Sequence, residues 1–493
     1  MTRAPHAPLD ASRLLFGRSD ECAALDAAVD APAGGRSAVV VVEGAWGTGK
    51  SAVLERTCRR AESAGLVVVS VVAVAPDRDL ELGVVHQVLE QVLDIYPEGV
   101  ALHRVVATVA AERPVLLVVD DAHDIDAASA HELVRLLARA DRMRVGVVVA
   151  GAPRRRAGWD ELRAAAARRS DTRFVRLGPL DHRAGASLVR HRAPSATDAE
   201  VAELLRASAG NPFLLRTAAD AIAAGAAVET LITAVPDAIR HRVVALVREL
   251  DVTARRVAEL ASIYVLTRQP AMTSTGEVPR AVFASVLETD DAVLAQSLDE
   301  LVDVGLFARH DLDAIAPLAA AAIAAEMSAP RREAIHRALA NELWSAGASN
   351  DVVVDHLLRS SPGHSAWAVG MLRAAADEAR GRADLDTAIE LLCRALDEHP
   401  IAPVRASLLE DLAVTEATAR TPTAAARLDE AVAAQSSDAR RAEVLYAVGR
   451  ALVVSGQRAD AAMAFERGLE LHAGDDWDLL LGAALVNATR LHP

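Results

Sequence analysis

At 493 residues the chain exceeds what one hydrophobic core organises, and about 150 residues per domain gives roughly three folding units. Apolar residues make up 52% but aromatics only 3%, so the cores are built from Ala, Val and Leu, a composition suited to closely packed helices. A formal charge of −15 excludes a broad nucleic-acid surface, which needs clustered Lys and Arg, and the three scattered cysteines (Cys22, Cys58 and Cys393) exclude a disulfide framework or a cysteine metal site.

Residues Met1 to Ser12 carry prolines and charges in place of an apolar leader, and the long apolar runs, Leu66 to Ala75 and Ala314 to Ala325, fall short of the roughly 18 residues that span a bilayer. A cytoplasmic protein without a membrane partner is expected. Short β-branched runs then follow at Ala38 to Glu43, Leu66 to Val74, Val115 to Val119, Val145 to Val149 and Phe174 to Leu177, separated by helix-patterned stretches. Apolar strands alternating with helices describe a parallel sheet covered on both faces. From Asp181 to about Glu342 the pattern is helical, broken at Gly210-Asn211-Pro212, at Val235-Pro236 and across Gln269 to Glu277.

The last third repeats. Ala388, Leu392 and Ala395-Leu396 recur as Ala424, Leu428 and Ala431-Val432, and again as Ala461, Phe465 and Gly468-Leu469, at offsets of 36 (424 − 388) and 37 (461 − 424). These approach the ~34-residue period of tetratricopeptide helix pairs, whose small residues let neighbouring helices close up. The array stops without an evident polar capping helix, so the chain is expected to be one part of a longer protein.

The segment Gly44-Ala45-Trp46-Gly47-Thr48-Gly49-Lys50-Ser51 meets the G-x-x-x-x-G-K-[ST] pattern, after a strand and before the helical run Ala52 to Arg60. Glycines at these positions let the backbone curl its N–H groups around a β-phosphate at a helix N-terminus. Lys50 is expected to reach the β- and γ-phosphates and the Ser51 hydroxyl to bind Mg²⁺. Lys50 is also the sole lysine of the chain, every other cation among the 53 Lys and Arg being arginine. A compact ammonium suits a tight cradle that a planar guanidinium does not fit. The strand Val115 to Val119 runs into Asp120-Asp121-Ala122-His123. On a strand neighbouring the first, Asp120 is expected to hold Mg²⁺ through water and Asp121 to orient or activate the attacking water. A helix N-cap or solvated turn is the alternative for the acids, and His123 is either a satisfied loop histidine or a γ-phosphate sensor.

At these residues the chain resembles STAND-type P-loop NTPases, specifically the large ATP-binding regulators of the LuxR family. The resemblance includes Phe16-Gly17-Arg18 with Glu21, the glycine-rich run, Asp120 to His123, Leu177-Gly178-Pro179-Leu180, Gly210-Asn211-Pro212-Phe213, and Leu298 to Leu301 with Gly305-Leu306. It implies a multidomain α/β plus all-α architecture: a P-loop nucleotide-binding domain over 1–178, a helical lid over 179–235, a winged-helix-like domain over 236–345 and tetratricopeptide-like repeats over 346–493. It also implies that Gly17 and Arg18 lie near the base and that Pro212 packs on adenine; a solvated Arg on a turn and a simple helix start at Asn211-Pro212 are the alternatives.

Two departures stand out. Where the family carries a sensor arginine before a proline, this chain has Ala152-Pro153, followed by Arg154, Arg155 and Arg156; one of these substitutes, or they form a solvated basic turn. Where the family reads Phe-Arg-His…Arg, this chain reads Ala314-Ile315-Ala316…Ala320. Binding of ATP or ADP with Mg²⁺ is therefore expected to survive while hydrolysis is slow or absent, since positioned charge provides most of the acceleration in phosphoryl transfer. The implied function is a nucleotide-dependent switch of a transcriptional regulator, with a protein or small-molecule effector on the repeats, homo-oligomers possible, and DNA bound only through a domain absent from this chain. The alternatives are an ATP hydrolase that remodels a partner and a scaffold in which the nucleotide is structural.

Overall fold

The computed structural model describes residues 15–77, 80–92, 101–154, 156–267 and 280–490. The expected break across Gln269 to Glu277 and the side chain of Arg155 lie outside them. The chain divides into two compact units, Met1–Met327 and Ser328–Pro493.

In the first unit α1 (Ser19–Ala33) precedes β1 (Ala38–Gly44), and α2 (Lys50–Ser63), β2 (Val67–Val72), α3 (Gly83–Val92), α4 (Leu102–Glu112), β3 (Val115–Asp120), α5 (Ala127–Leu137), β4 (Val145–Gly151), α6 (Ala157–Ala167) and β5 (Thr172–Leu177) follow. The five strands form one sheet in the order β2-β3-β4-β1-β5, all pairs parallel. Parallel strands need helical crossovers, and these cover both faces. Side chains therefore sort with period two: Val40, Val42, Val118 and Val148 pack with Leu25, Val29 and Leu54 under α1 and α2, while Val39, Val41, Val119 and Val149 pack with Leu133 and Trp159 on the other side. Val39 to Val42 are fully buried, each stabilising the sheet by about 1.5–3 kcal/mol relative to exposure.

One expectation is corrected here. The strand bearing Asp120 is not the neighbour of β1, because β4 is inserted between them. The C-terminal end of β4, at Gly151-Ala152, thus lies between the glycine-rich loop and the acids.

The unit continues with α7 (His182–Arg192), α8 (Asp198–Ser208), α9 (Pro212–Ala223), α10 (Asp237–Glu249), α11 (Val252–Thr267), α12 (Arg280–Leu287), α13 (Asp291–Asp303) and α14 (Pro317–Glu326). Helix α14 packs on α10 and α11, and Phe307 and Ile315 form an isolated antiparallel bridge in the connection before it. Ala316 and Ala320, where the family pattern has polar side chains, are buried.

The second unit is helical throughout: α15 (Ala329–Ser345), α16 (Asn350–Leu358), α17 (Ala366–Gly381), α18 (Leu385–Asp397), α19 (Ala402–Ala419), α20 (Ala424–Ala433), α21 (Asp438–Val454), α22 (Arg458–Glu470) and α23 (Asp475–Arg490). Consecutive helices pack as neighbours. The recurring residues fall on α18, α20 and α22, where Ala388, Leu392, Ala424, Leu428, Ala461 and Phe465 are buried. The unit begins at Ser328, whereas the sequence reading drew its boundary at 345/346; the difference is α15, which packs on α16.

Inside this unit His336 on α15 and His356 on α16 meet Nδ1 to Nδ1 at 2.9 Å, both buried. One nitrogen donates and the other accepts, so the contact does not tolerate two charged rings. Burial, with Arg359 and Arg332 adding to it, pushes His336 down to about 4; burial, with His336 and Arg359 adding to it, pushes His356 down to about 3. Both folded values lie below the ordinary 6.5, so the unfolded chain binds more protons at mildly acid pH. The stability from keeping the rings neutral is complete above 6.5 and lost as pH falls toward those values, by up to roughly 2.7 kcal/mol per pH unit if both rings titrate. Thermal melts between pH 7 and 5 are expected to show this loss, and a double variant, His336→Gln with His356→Gln, is expected to flatten it.

Candidate functional site

The glycine-rich loop leaves β1 at Gly44 and enters α2 at Lys50. Gly47 and Gly49 have φ of +75° and +97°, left-handed values that L side chains adopt only under strain, and Gly49 is the N-cap of α2. A Cβ on Gly44 would lie 2.5 Å from Thr48 Oγ1, which donates to the Ala45 carbonyl at 2.8 Å and closes the turn. Lys50 Nζ donates to the carbonyls of Gly44, at 2.9 Å, and Ala45, at 3.4 Å, so its ammonium lies over the loop. Burial pushes the Lys50 pKa down, and the charges of Asp121 and Asp120 oppose that push. An ammonium short of water beside a helix N-terminus offers its charge to a phosphate.

Asp120 ends β3 buried, and its Oδ1 accepts the Asp121 amide at 2.8 Å. Asp121 has a left-handed φ of +48° and precedes the short 3₁₀ turn Ala122–Asp124 without a side-chain capping bond. The helix-cap alternative for Asp121 therefore does not apply. Burial raises its pKa and Asp120 adds to the rise, while Lys50 opposes it. His123 joins the ends of β3 and β4: its Nδ1 accepts the Ala152 amide at 3.3 Å.

Helices α7 to α9 close the other side. Asn211 caps α9 by accepting the amides of Phe213 and Leu214, at 3.0 and 3.2 Å, and its Nδ2 donates to the Trp46 carbonyl at 2.9 Å. The Phe213 amide also donates to the Gly47 carbonyl at 3.1 Å, and the Trp46 and Phe213 rings lie 5.2 Å apart. Arg18 is buried, pairs with Glu21, and donates to the carbonyls of Thr48, at 3.3 Å, and Gly178. It is a brace between the N-terminal turn, the loop and the exit of β5, and not a solvated surface arginine. Gly17, with a φ of +62°, backs onto Ala184 of α7.

Residues 14–149 match the model of an AAA ATPase domain. They form a P-loop NTPase domain of that type. No curated protein matches the chain. Among solved structures, a Walker-type ATPase of Pyrococcus abyssi is similar at 13% identity and a TM-score of 0.43, over 62% of this chain and 95% of that one. A STAND protein with a tetratricopeptide repeat sensor from Pyrococcus horikoshii is similar at 15% identity and a TM-score of 0.31, over 98% of this chain and 75% of that one. Cdc6p of Pyrobaculum aerophilum is similar at 14% identity and a TM-score of 0.37, over 68% of this chain and 97% of that one.

The ATPase domain and the helices after it enclose a cleft of about 520 Å³. Its lining brings together Arg18, Gly47, Thr48, Gly49, Lys50, Ser51, Asp121 and Pro212 of the residues singled out in the sequence. Gly44, Gly17 and Asp120 stand behind that surface. Phe16, Leu180, Leu188, Pro212 and Phe213 give the cleft an apolar wall, and Lys50, Asp121 and Arg242 of α10 line it as well. Ser51, which lines the cleft, and Asp120, buried at the end of β3, are the residues whose oxygens could hold a Mg²⁺ ion, directly or through water.

Sequence reasoning missed Arg242 and Arg216, which line the cleft from α10 and α9. It also left Arg154 open as a solvated turn. Arg154 is 8% exposed, its Nη1 donates to Glu249 Oε2 of α10 at 2.7 Å, and with Glu249 it lines a second cavity of about 220 Å³. The signal available was the run of three arginines after Ala152-Pro153, which marks excess cation but not its direction. The same region holds a tight approach: a Cβ on Gly305 would lie 2.6 Å from the Trp46 nitrogen and 2.7 Å from Ala45 Cβ. Only a glycine lets the turn after α13 rest on the P-loop backbone.

Proposed function

We propose that the chain is a nucleotide-dependent switch of the STAND type, the ATP- and ADP-binding part of a LuxR-family transcriptional regulator. One observation carries the reading: the P-loop is contacted from two later segments at once, by Asn211 and Phe213 of α9 and by Gly305 after α13. A loop that changes its contacts when it holds phosphate then changes what α9 and the α10–α14 segment rest on, which is the differential contact a switch needs. In this reading 179–235 is the lid and 236–345 a winged-helix-like segment whose wing is reduced to the Phe307–Ile315 bridge. The repeats over 346–493 are tetratricopeptide-like and receive the effector.

Within the cleft, Lys50 and the loop amides would hold the β- and γ-phosphates, Ser51 and Asp120 the Mg²⁺ ion, and Pro212 with Phe16 the adenine. Mg²⁺ supplies charge neutralisation between the phosphates. Asp121, without a capping bond and with its pKa raised by burial, would accept a proton from water. Ala152 and Ala316 bring no charge to the site, and turnover is accordingly slow.

Two measurements test this together. Limited proteolysis in the presence of Mg²⁺ is expected to give different fragment patterns with ATP and ADP, and steady-state turnover is expected well below ~1 s⁻¹. Identical patterns with the two nucleotides would favour the scaffold reading, and turnover well above that rate would favour a remodelling hydrolase.

A further inference from the structure

We propose that the outer edge of β2 is a docking site for an extended strand of a partner protein, an apolar segment with basic flanks, and that the Gln91 carboxamide holds the place of that strand in its absence. The inference stands whatever the P-loop binds.

The backbone supplies the first argument. β2 is an end strand of the sheet and pairs with β3 on its inner side. Residues along a strand turn their N–H and C=O alternately to one side and the other. Val67 donates to the Pro114 carbonyl and Ala73 to the Asp120 carbonyl, so the odd-numbered residues face β3 while Val68, Ser70 and Val72 face outward. Among the described residues, the bonds on that outer side are those of Ser70: its N–H donates to Gln91 Oε1 at 3.2 Å, and its carbonyl accepts from Gln91 Nε2 at 2.9 Å. One carboxamide that both accepts and donates at a single residue does what a peptide unit of an adjoining strand would do. Gln91 is exposed in the last turn of α3, and water can take over both of its bonds when it leaves.

The side chains supply the second. Sheet edges are ordinarily blunted by charge, and β5 at the opposite edge carries Arg173 and Arg176, both exposed. From Leu66 to Pro76 there is no charged residue. Val72 and Val74 are 45% and 40% exposed, so an incoming strand meets apolar side chains at alternate positions as well as open backbone groups.

Charge selects the occupant. Glu62, in the last turn of α2 before β2, and Glu90, beside Gln91 on α3, are exposed, while Arg113 donates to the Gly65 carbonyl at the start of the strand. A second copy would bring the same acids to an edge-to-edge pair, on a chain whose net charge is −15, and like charges across a sheet are destabilising. A segment with an apolar middle and Arg or Lys at its ends meets the valines with the one and the glutamates with the other. Val72 is in register with Asp120, so the docked strand lies one strand away from the acidic pair.

Fluorescence anisotropy on the full chain tests this with a labelled peptide of alternating valine and threonine, flanked by two arginines at each end, and with the same peptide flanked by glutamates. The arginine peptide is expected to bind, and the glutamate peptide to bind at least about tenfold more weakly. Gln91→Ala frees Ser70 and is expected to tighten the arginine peptide roughly fivefold, the scale of one hydrogen bond that no longer competes. Val72→Pro removes an outward N–H and leaves the ladder to β3 intact, and Val72→Lys keeps the N–H but charges the edge; each is expected to weaken binding at least about tenfold. Should Val72→Pro fail to fold, Val72→Lys decides. No binding to the native chain or to Gln91→Ala, equal affinity for the two peptides, or native affinity in Val72→Lys each overturns the proposal. Sedimentation that shows a native dimer and a monomeric Val72→Lys assigns the edge to a second copy and overturns it too.

Discussion

Lys50→Ala is expected to abolish measurable nucleotide binding, weakening ATP and ADP alike by at least about 100-fold, while the melting temperature of the protein stays within a few degrees. The ammonium is the only lysine in the chain and lies over the loop on the carbonyls of Gly44 and Ala45. Each charge-assisted hydrogen bond to phosphate contributes about 1.5–3 kcal/mol, and two such bonds in a site shielded from water account for the factor. Removal also leaves Asp120 and Asp121 without the cation that opposes their mutual repulsion. Lys50→Arg is expected to restore little, because a planar guanidinium does not fit the space a compact ammonium fills under the curled loop. Titration calorimetry with Mg²⁺ measures both variants. Native affinity in Lys50→Ala would sink the assignment of this loop to phosphate.

The loop was readable in the sequence because its chemistry is local: the glycines, the lysine and the flanking strand and helix are contiguous, and the backbone geometry that cradles a phosphate needs nothing from elsewhere. The five strands were readable for a related reason, since buried parallel strands appear as short apolar runs whatever their neighbours. Their lateral order was not. Nothing in the run Val145 to Val149 says that it slides between β1 and β3, because the order is set by which helices pack on which faces. The same holds for Arg154 and Arg242. A helical pattern places Arg242, Ala245, Leu246 and Glu249 on one side of α10, but a charged side of a helix is ordinarily the solvent side, and only the fold shows that this one faces the P-loop. In the second unit the spacing of 36 and 37 residues exposed the repeating helices, whereas the contact between His336 and His356 joins two unremarkable histidines 20 residues apart.

The second large effect is expected at a residue the sequence does not single out. Glu398 closes α18 with its side chain fully buried, and its carboxylate gathers Arg337 at 2.9 and 2.8 Å, Arg394 at 2.9 Å, and the amides of Gly363 and Ser365 at 2.9 and 3.2 Å. One carboxylate thereby ties α15, the turn between α16 and α17, and α18. Burial alone would raise its pKa; the Arg337 bonds, the two amides and the Arg337 charge outweigh burial and hold it at about 2. A folded value below the ordinary 4.5 means stability that is present above 4.5 and lost as pH falls through about 2. The shift corresponds to about 3 kcal/mol. Glu398→Ala forfeits that and strands two guanidinium groups and two half-buried amides, so a loss of about 3–5 kcal/mol is expected. Against the roughly 5–15 kcal/mol that holds a domain folded, this suffices to bring the melting transition of residues 328–493 down by many degrees or to remove it. Calorimetric scanning near pH 7 checks it, with nucleotide binding by the first unit as the control for a local effect. Because the Glu398 contribution persists until strongly acid pH while the His336–His356 pair loses stability as pH falls below 6.5, the two effects on residues 328–493 separate along the pH axis. An unchanged transition in Glu398→Ala would mean that solvent and neighbouring residues take over all five bonds, and the buried carboxylate would then not be what holds these three segments together.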